Sequence, residues 1–144
     1  MAGHLRSNLF IAAWVCIIIS SGMIMGGGDA VSIPKVAILG ASGYTGQELR
    51  RLLTAHPGVE LAACMTARTN HTPPSPTLPT DPEILPLDLD ALREIQGVFL
   101  CTPHGAAAEL TAATLDRGCK VVDLSADFRL RDVDLYAETY GQPH

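Results

Sequence analysis

Apolar and polar positions along this chain fall into short segments that alternate in period. Lys35 to Leu39 is a compact apolar run and predicts a strand. From Tyr44 to about Ala55 the period lengthens: Leu49, Leu52 and Leu53 share one helical face, with Gln47, Glu48, Arg50 and Arg51 on the other. His56-Pro57-Gly58 ends that helix. Val59 to Thr66, Val98 to Cys101 and Lys120 to Leu124 are further apolar runs of strand length. Between them, Leu87 to Ile95 predicts a short helix, and Ala106 to Asp116 an alanine-rich one closed by Arg117-Gly118. Val133 to Thr139 predicts a last short helix. Arg68 to Pro86 carries six prolines, which cannot continue a helix and serve a strand poorly, so it predicts an exposed loop with Ile84-Leu85 as a short edge strand.

Strands that alternate with helices, and that lack a polar face, are those of a parallel sheet covered on both sides. The fold class expected over residues 33–144 is therefore α/β, a Rossmann-type doubly wound parallel sheet. No internal repeat or coiled-coil pattern competes with it. Its first unit, Val36 to Leu53, is a strand, a turn on Gly40, Gly43 and Gly46, and a helix. That order makes a pyrophosphate site: glycines admit the phosphates to the backbone, and the first unpaired amides of the helix, with its dipole, face the anion.

Residues 1–32 are read apart from the fold. His4 and Arg6 precede an apolar run from Leu9 to Ile19, and Gly28-Asp29-Ala30 offers small residues where a signal peptidase cuts. A targeting leader, an uncleaved anchor and non-native sequence upstream of the true start all fit this pattern. The run is short of the about 20 residues a transmembrane helix needs. The 144 residues leave room for about one domain with a real core. A net charge of −5 gives no reason to expect a nucleic-acid partner. Cys16, Cys64, Cys101 and Cys119 are widely spaced, with no pair at metal or redox spacing, so no metal site is expected. The last three lie in or beside strands and read as small buried apolar residues.

Ligands of an open α/β sheet sit at the carboxyl ends of its strands. Four polar or glycine-rich clusters follow predicted strands: Gly40 to Gly46, Thr66 to Arg68, Thr102 to Gly105 and Ser125 to Arg129. The expected cofactor-binding residues are Gly40, Ser42, Gly43, Tyr44, Thr45 and Gly46, with Arg68 after the second strand and Pro103, His104 and Gly105 after the next. No acid closes the second strand, Glu60 lying at its start, whereas Arg68 suits a 2′-phosphate; NADP is therefore favoured over NAD. Alternatively Arg68 is a solvated loop cation. Pro103-His104-Gly105 is read as a second backbone cradle, with His104 structural or hydrogen-bonding rather than a base. Ser125 and Arg129 are candidates for holding an anionic substrate, and an Asp127–Arg129 ion pair that orders the loop is the competing reading.

The segments Gly40 to Leu49 (GASGYTGQEL), Val98 to Leu110 (VFLCTPHGAAAEL), Lys120 to Asp132 (KVVDLSADFRLRD) and Tyr136 to His144 together resemble the N-acetyl-γ-glutamyl-phosphate reductases of arginine biosynthesis. The likeness covers Val36 to His144, and a relative in lysine biosynthesis acting on a carrier-linked aminoadipyl phosphate shares the motifs. It implies a Rossmann NADP domain joined to a larger catalytic and dimerisation domain, a homo-oligomer, and a small acyl-phosphate substrate. It also implies reduction to an aldehyde with NADPH as hydride donor, a cysteine nucleophile and an acid/base histidine. It implies no stable membrane association once a leader is removed. In plastid-bearing eukaryotes such enzymes work in the plastid, and bacterial members in the cytoplasm.

Two departures stand out. The nucleophilic cysteine of these enzymes lies in an Asn-Pro-Gly-Cys motif just after the segment that here ends at His144, and the histidine lies further on. No catalytic residue is therefore expected within these 144 residues, and Cys101 reads as a buried substitution. A short Ala-Gly-Lys element is expected after Arg68, where this chain has Thr69-Asn70-His71-Thr72. A non-catalytic NADP-binding module is the alternative to a part of an enzyme.

Overall fold

The computed structural model describes residues 33–67, 82–141 and 143. The leader reading, Arg68 and most of the proline-rich loop lie outside the described residues. Five strands, β1 (Lys35–Leu39), β2 (Glu60–Met65), β3 (Ile84–Leu85), β4 (Gly97–Leu100) and β5 (Lys120–Asp123), form one sheet in the order β3-β2-β1-β4-β5. Every neighbouring pair is parallel. The helices are α1 (Tyr44–Thr54), α2 (Ala107–Leu115) and α3 (Val133–Tyr140), with a 3-10 turn at Asp90–Glu94. The expected doubly wound sheet is thus present, and the short edge strand is where the sequence placed it.

Strand alternation explains why the central strands carry no polar face. Val36 and Ile38 of β1, with Phe99 of β4 and Cys64 of β2, face Leu49 and Leu53 of α1 in one core. Ala37 and Leu39 of β1, with Val98 and Leu100 of β4, face the opposite core, closed by Leu92, Ile95 and Ala107. Both faces of β1 and β4 are buried. β2 and β5 depart from the expectation: β2 is buried throughout only over its last two residues, and β5 is half-buried with Lys120 exposed. β5 is an edge strand of the described sheet, so only one neighbour shields its flank.

Helix α1 corrects the amphipathic reading. Its buried positions are Gly46, Leu49, Arg50 and Leu53, a stripe at helical spacing, while Leu52 is half-buried. Arg50 was expected on the polar face. Its long aliphatic stem allows an arginine to lie along apolar surface, and its charge opposes the rise that burial imposes on the Cys64 thiol. The helix predicted over Leu87 to Ile95 shrinks to the five-residue 3-10 turn. Pro86 precedes it, and the Asp88 carboxylate accepts from the Asp90 amide at 2.9 Å, fixing a turn rather than a longer helix. Helix α3 is delimited at both ends. Asp132 Oδ1 accepts from the amides of Asp134 and Leu135, and Gly141 closes it in the left-handed region.

Candidate functional site

Sheet order reverses between β1 and β4, the two strands that leave the centre in opposite directions. In doubly wound sheets this is where a crevice opens outside the carboxyl ends. A cavity of about 270 Å³ lies there. Gly40, Ser42, Gly43, Tyr44 and Thr45 contribute one wall from the turn after β1. Cys101, Thr102 and Pro103 contribute the other from the turn after β4, and Ala67 closes it beyond β2.

The two turns touch, and glycine makes this possible. Gly40 has φ +89°, and a Cβ there would overlap the Cys101 carbonyl. Gly46 packs α1 onto the turn: a Cβ would overlap the Gly40 carbonyl and the Ala41 backbone. Gly46 is not among the residues lining the cavity, and its close approach to the turn is a packing contact. The turn itself hangs on β2, with the Gly40 and Ala41 amides both donating to the Met65 carbonyl at 2.9 Å. Gly43 is the N-cap of α1 and no side chain caps it. The amides of the first helical turn are therefore left pointing past the end of the helix beside the cavity. Tyr44, the first helical residue, is 95% exposed.

The turn after β4 is arranged differently. Gly105 donates its amide to both carboxylate oxygens of Asp127, at 2.8 and 3.0 Å, and Ala107 donates to Oδ2 at 2.9 Å. Tyr136 donates its hydroxyl to Oδ1 at 3.0 Å. The N-terminus of α2 is thus filled from within the chain by a buried carboxylate. The Gly105 amide, expected in a cofactor cradle, here serves Asp127, and Gly105 lines a separate pocket of about 70 Å³ with Asp127, Tyr136 and Pro143. Burial resists ionisation of Asp127. The Gly105 and Ala107 amides, the Tyr136 hydroxyl and nearby His104 outweigh it and hold the carboxyl below its ordinary value. His104 is exposed, its ring 5.3 Å from that of Tyr140, which in turn meets Tyr136 at 4.8 Å.

The loop after β5 is ordered by its own side chains. Asp123 accepts from the Ser125 amide at 2.9 Å and from its hydroxyl at 2.8 Å, and that hydroxyl accepts from the Asp127 amide at 3.1 Å. Ser125 is buried and spends its hydroxyl within the loop, whereas Arg129 is exposed. The candidate pair is not equivalent in this structure: Arg129 is presented outward and Ser125 braces the loop. Sequence reasoning placed Asp127 with Ser125 and Arg129, as part of an anion-holding cluster or as an ion-pair partner, counted Thr102 and Ala67 only within the strand-end clusters, and gave Asp123 no role. The available signal was position, since Ala67 and Thr102 stand two residues beyond β2 and β4, and Asp123 is the last residue of β5. Burial pushes the Cys101 thiol up to about 12, with Asp123 and Cys64 adding to it, and the Cys64 thiol up to about 11. Neither is a thiolate at neutral pH, and nucleophilic attack needs one. Among the described residues no three His, Cys, Asp or Glu side chains are placed to hold a metal ion.

Residues 35–143 match the family model described as the NAD-binding domain of semialdehyde dehydrogenases. The chain belongs to this family. N-acetyl-γ-glutamyl-phosphate reductase of Akkermansia muciniphila is 42% identical over 123 residues, covering 76% of this chain and 34% of that protein. A Nitrosopumilus maritimus protein, named as a phosphate reductase of LysW-linked L-2-aminoadipate and L-glutamate, is 44% identical over 117 residues, covering 76% and 33%. The chain spans about a third of the length of these curated relatives. Among solved structures, aspartate semialdehyde dehydrogenase with NADP from Candida albicans superposes with a TM-score of 0.57 at 22% identity. It covers 71% of this chain and 32% of that one, and it shows a shared fold.

Proposed function

We propose that this chain is the cofactor-binding part of an NADPH-dependent acyl-phosphate reductase that converts N-acetyl-L-glutamyl 5-phosphate to the 5-semialdehyde with release of phosphate. The observation that carries the cofactor half is the crevice between β1 and β4, with an uncapped α1 N-terminus beside it. Gly40 and Gly46 let the turn close against Cys101 and against α1, since a Cβ at either would overlap backbone. Gly43 lines the cavity, and nothing beyond its chain neighbours comes nearer than 3.6 Å to where its Cβ would stand, which leaves backbone open to a phosphate. Gly40, Ser42, Gly43, Tyr44, Thr45 and Pro103 are the residues assigned to hold the dinucleotide. No acid follows β2 before Arg68, where Thr66 and Ala67 stand, which supports NADP over NAD. The bound cofactor supplies hydride. This chain's residues bind and orient it, while Asp127 fixes the turn that carries His104.

The N-acetylglutamyl assignment rests on relatives such as that of Akkermansia muciniphila. The LysW-linked substrate is a second reading, favoured by the 44% identity to the Nitrosopumilus maritimus protein. The raised thiols of Cys64 and Cys101 support placing the nucleophile elsewhere than on these residues. Titration of the purified 144-residue chain with NADPH and NADH, followed by nicotinamide fluorescence, tests the cofactor reading. Saturable binding with NADPH preferred supports it, and a folded chain that binds neither refutes it. Acyl-phosphate reduction by the chain alone would refute the assignment of the nucleophile elsewhere. The two substrates are separated by kcat/KM of the full-length enzyme with each. The plastid destination, with the cytoplasm as its alternative, rests on residues 1–32 and is tested by fluorescent fusions with and without them.

A further inference from the structure

We propose that Thr102 is a cofactor-binding residue whose hydroxyl takes its hydrogen-bond partner from the bound dinucleotide. The inference rests on the cofactor reading above and adds a residue and a signature to it. Thr102 lies two residues beyond the end of β4, lines the cavity, and is 7% exposed. Its hydroxyl oxygen is shielded from solvent and has no hydrogen-bond partner. Buried hydroxyls are almost always paired, because one left unpaired forfeits its hydration with nothing in return. An orphan in the wall of a crevice is therefore a group in need of a ligand.

Its place in the fold strengthens the assignment. The Cys101–Thr102 peptide is the one against which Gly40 packs, and a Cβ on Gly40 would come within 3.3 Å of the Thr102 amide nitrogen. Thr102 consequently stands where the glycine turn and the β4 turn meet, beside the uncapped start of α1. Threonine has three staggered χ1 positions, so a single rotation re-aims the hydroxyl without moving the backbone. Acting as donor it suits a phosphate oxygen, and as either donor or acceptor a ribose hydroxyl. The unpartnered hydroxyls of Thr111 and Thr114 on α2 do not line this cavity, which makes them internal controls.

A valine in place of this threonine keeps the shape and removes the hydroxyl. Thr102→Val therefore carries two effects of opposite sign. Without cofactor, Tm stays equal or rises, because no bond is lost and a desolvation cost is removed. With NADPH, Kd rises about tenfold, the loss of about 1.4 kcal/mol. Thr102→Ser keeps the hydroxyl and holds NADPH affinity within about threefold of wild type, a factor of about 0.65 kcal/mol. Thr114→Val leaves NADPH affinity unchanged. The experiment is thermal unfolding of each purified variant, paired with NADPH titration. Thr102→Val binding NADPH as tightly as wild type overturns the assignment. So does Thr102→Val that loses stability along with affinity, or that fails to fold, since the hydroxyl would then support the apo structure. A wild-type chain that is folded and binds no NADPH strikes the cofactor reading itself, whatever Thr102→Val does to Tm.

Discussion

Replacing Asp127 by alanine is expected to destabilise the fold strongly from a position that lines no part of the main cavity. The carboxylate collects the amides of Gly105 and Ala107 and the hydroxyl of Tyr136, all at 2.8–3.0 Å. Hydrogen bonds to a charged group contribute about 1.5–3 kcal/mol each. Gly105 is exposed, so water replaces much of its share. Ala107 and Tyr136 are buried and have no such substitute. Counting those two at the lower figure, Asp127→Ala costs about 3 kcal/mol. In a domain of this size that lowers Tm by more than about 10 °C. Urea unfolding of wild type and variant measures the loss directly, and a difference under about 1 kcal/mol would refute the reasoning. The pH dependence gives a second check. The folded carboxyl lies below its ordinary value, so its contribution is complete above the unfolded value of about 3.9. It is lost as pH falls through the lowered folded value. The gap between wild type and Asp127→Asn should be constant around neutrality and close in acid.

The other predictions concern the glycines and the thiols. Gly40→Ala places a Cβ against the Cys101 carbonyl at φ +89°, and should cost about 2–4 kcal/mol and remove NADPH binding. Gly118→Ala shares a positive φ but meets nothing within 4 Å, so it should cost about 1 kcal/mol and leave NADPH binding intact. Unfolding and cofactor titration of the two together separate backbone conformation from overlap. Cys64, Cys101 and Cys119 are half-buried or buried with raised thiol values. Peptide mapping after thiol labelling at neutral pH should find them unmodified in the native chain and modified in urea. Rapid native labelling of Cys101 would contradict its placement.

The sheet was legible because period and punctuation agree in it. Val36 to Leu39 and Val98 to Leu100 have no polar face, which only a strand covered on both sides needs, and glycine or proline marks most of their neighbours' ends. Arg50 was misread because polarity was taken for exposure, while its helical position decided the matter. The glycine turn was legible for a local reason: its chemistry is contained within Gly40 to Gly46. The role of Asp127 was not, because it depends on contacts 20 and 22 residues away that exist only once α2 is packed. Ser125 shows the same limit. A hydroxyl after a strand fits a ligand or its own loop equally well, and here the neighbours Asp123 and Asp127 claim it.

The central claim is that a dinucleotide binds where the turns after β1 and β4 meet. Amide chemical shifts of the ¹⁵N-labelled chain, followed during NADPH titration, test it residue by residue. The account predicts saturable shifts largest at Ser42, Gly43, Tyr44, Thr45 and Thr102, with the amides of Gly105 and Ala107, already held by Asp127, moving little. Shifts concentrated away from these turns, or none at all in a folded chain, would contradict it.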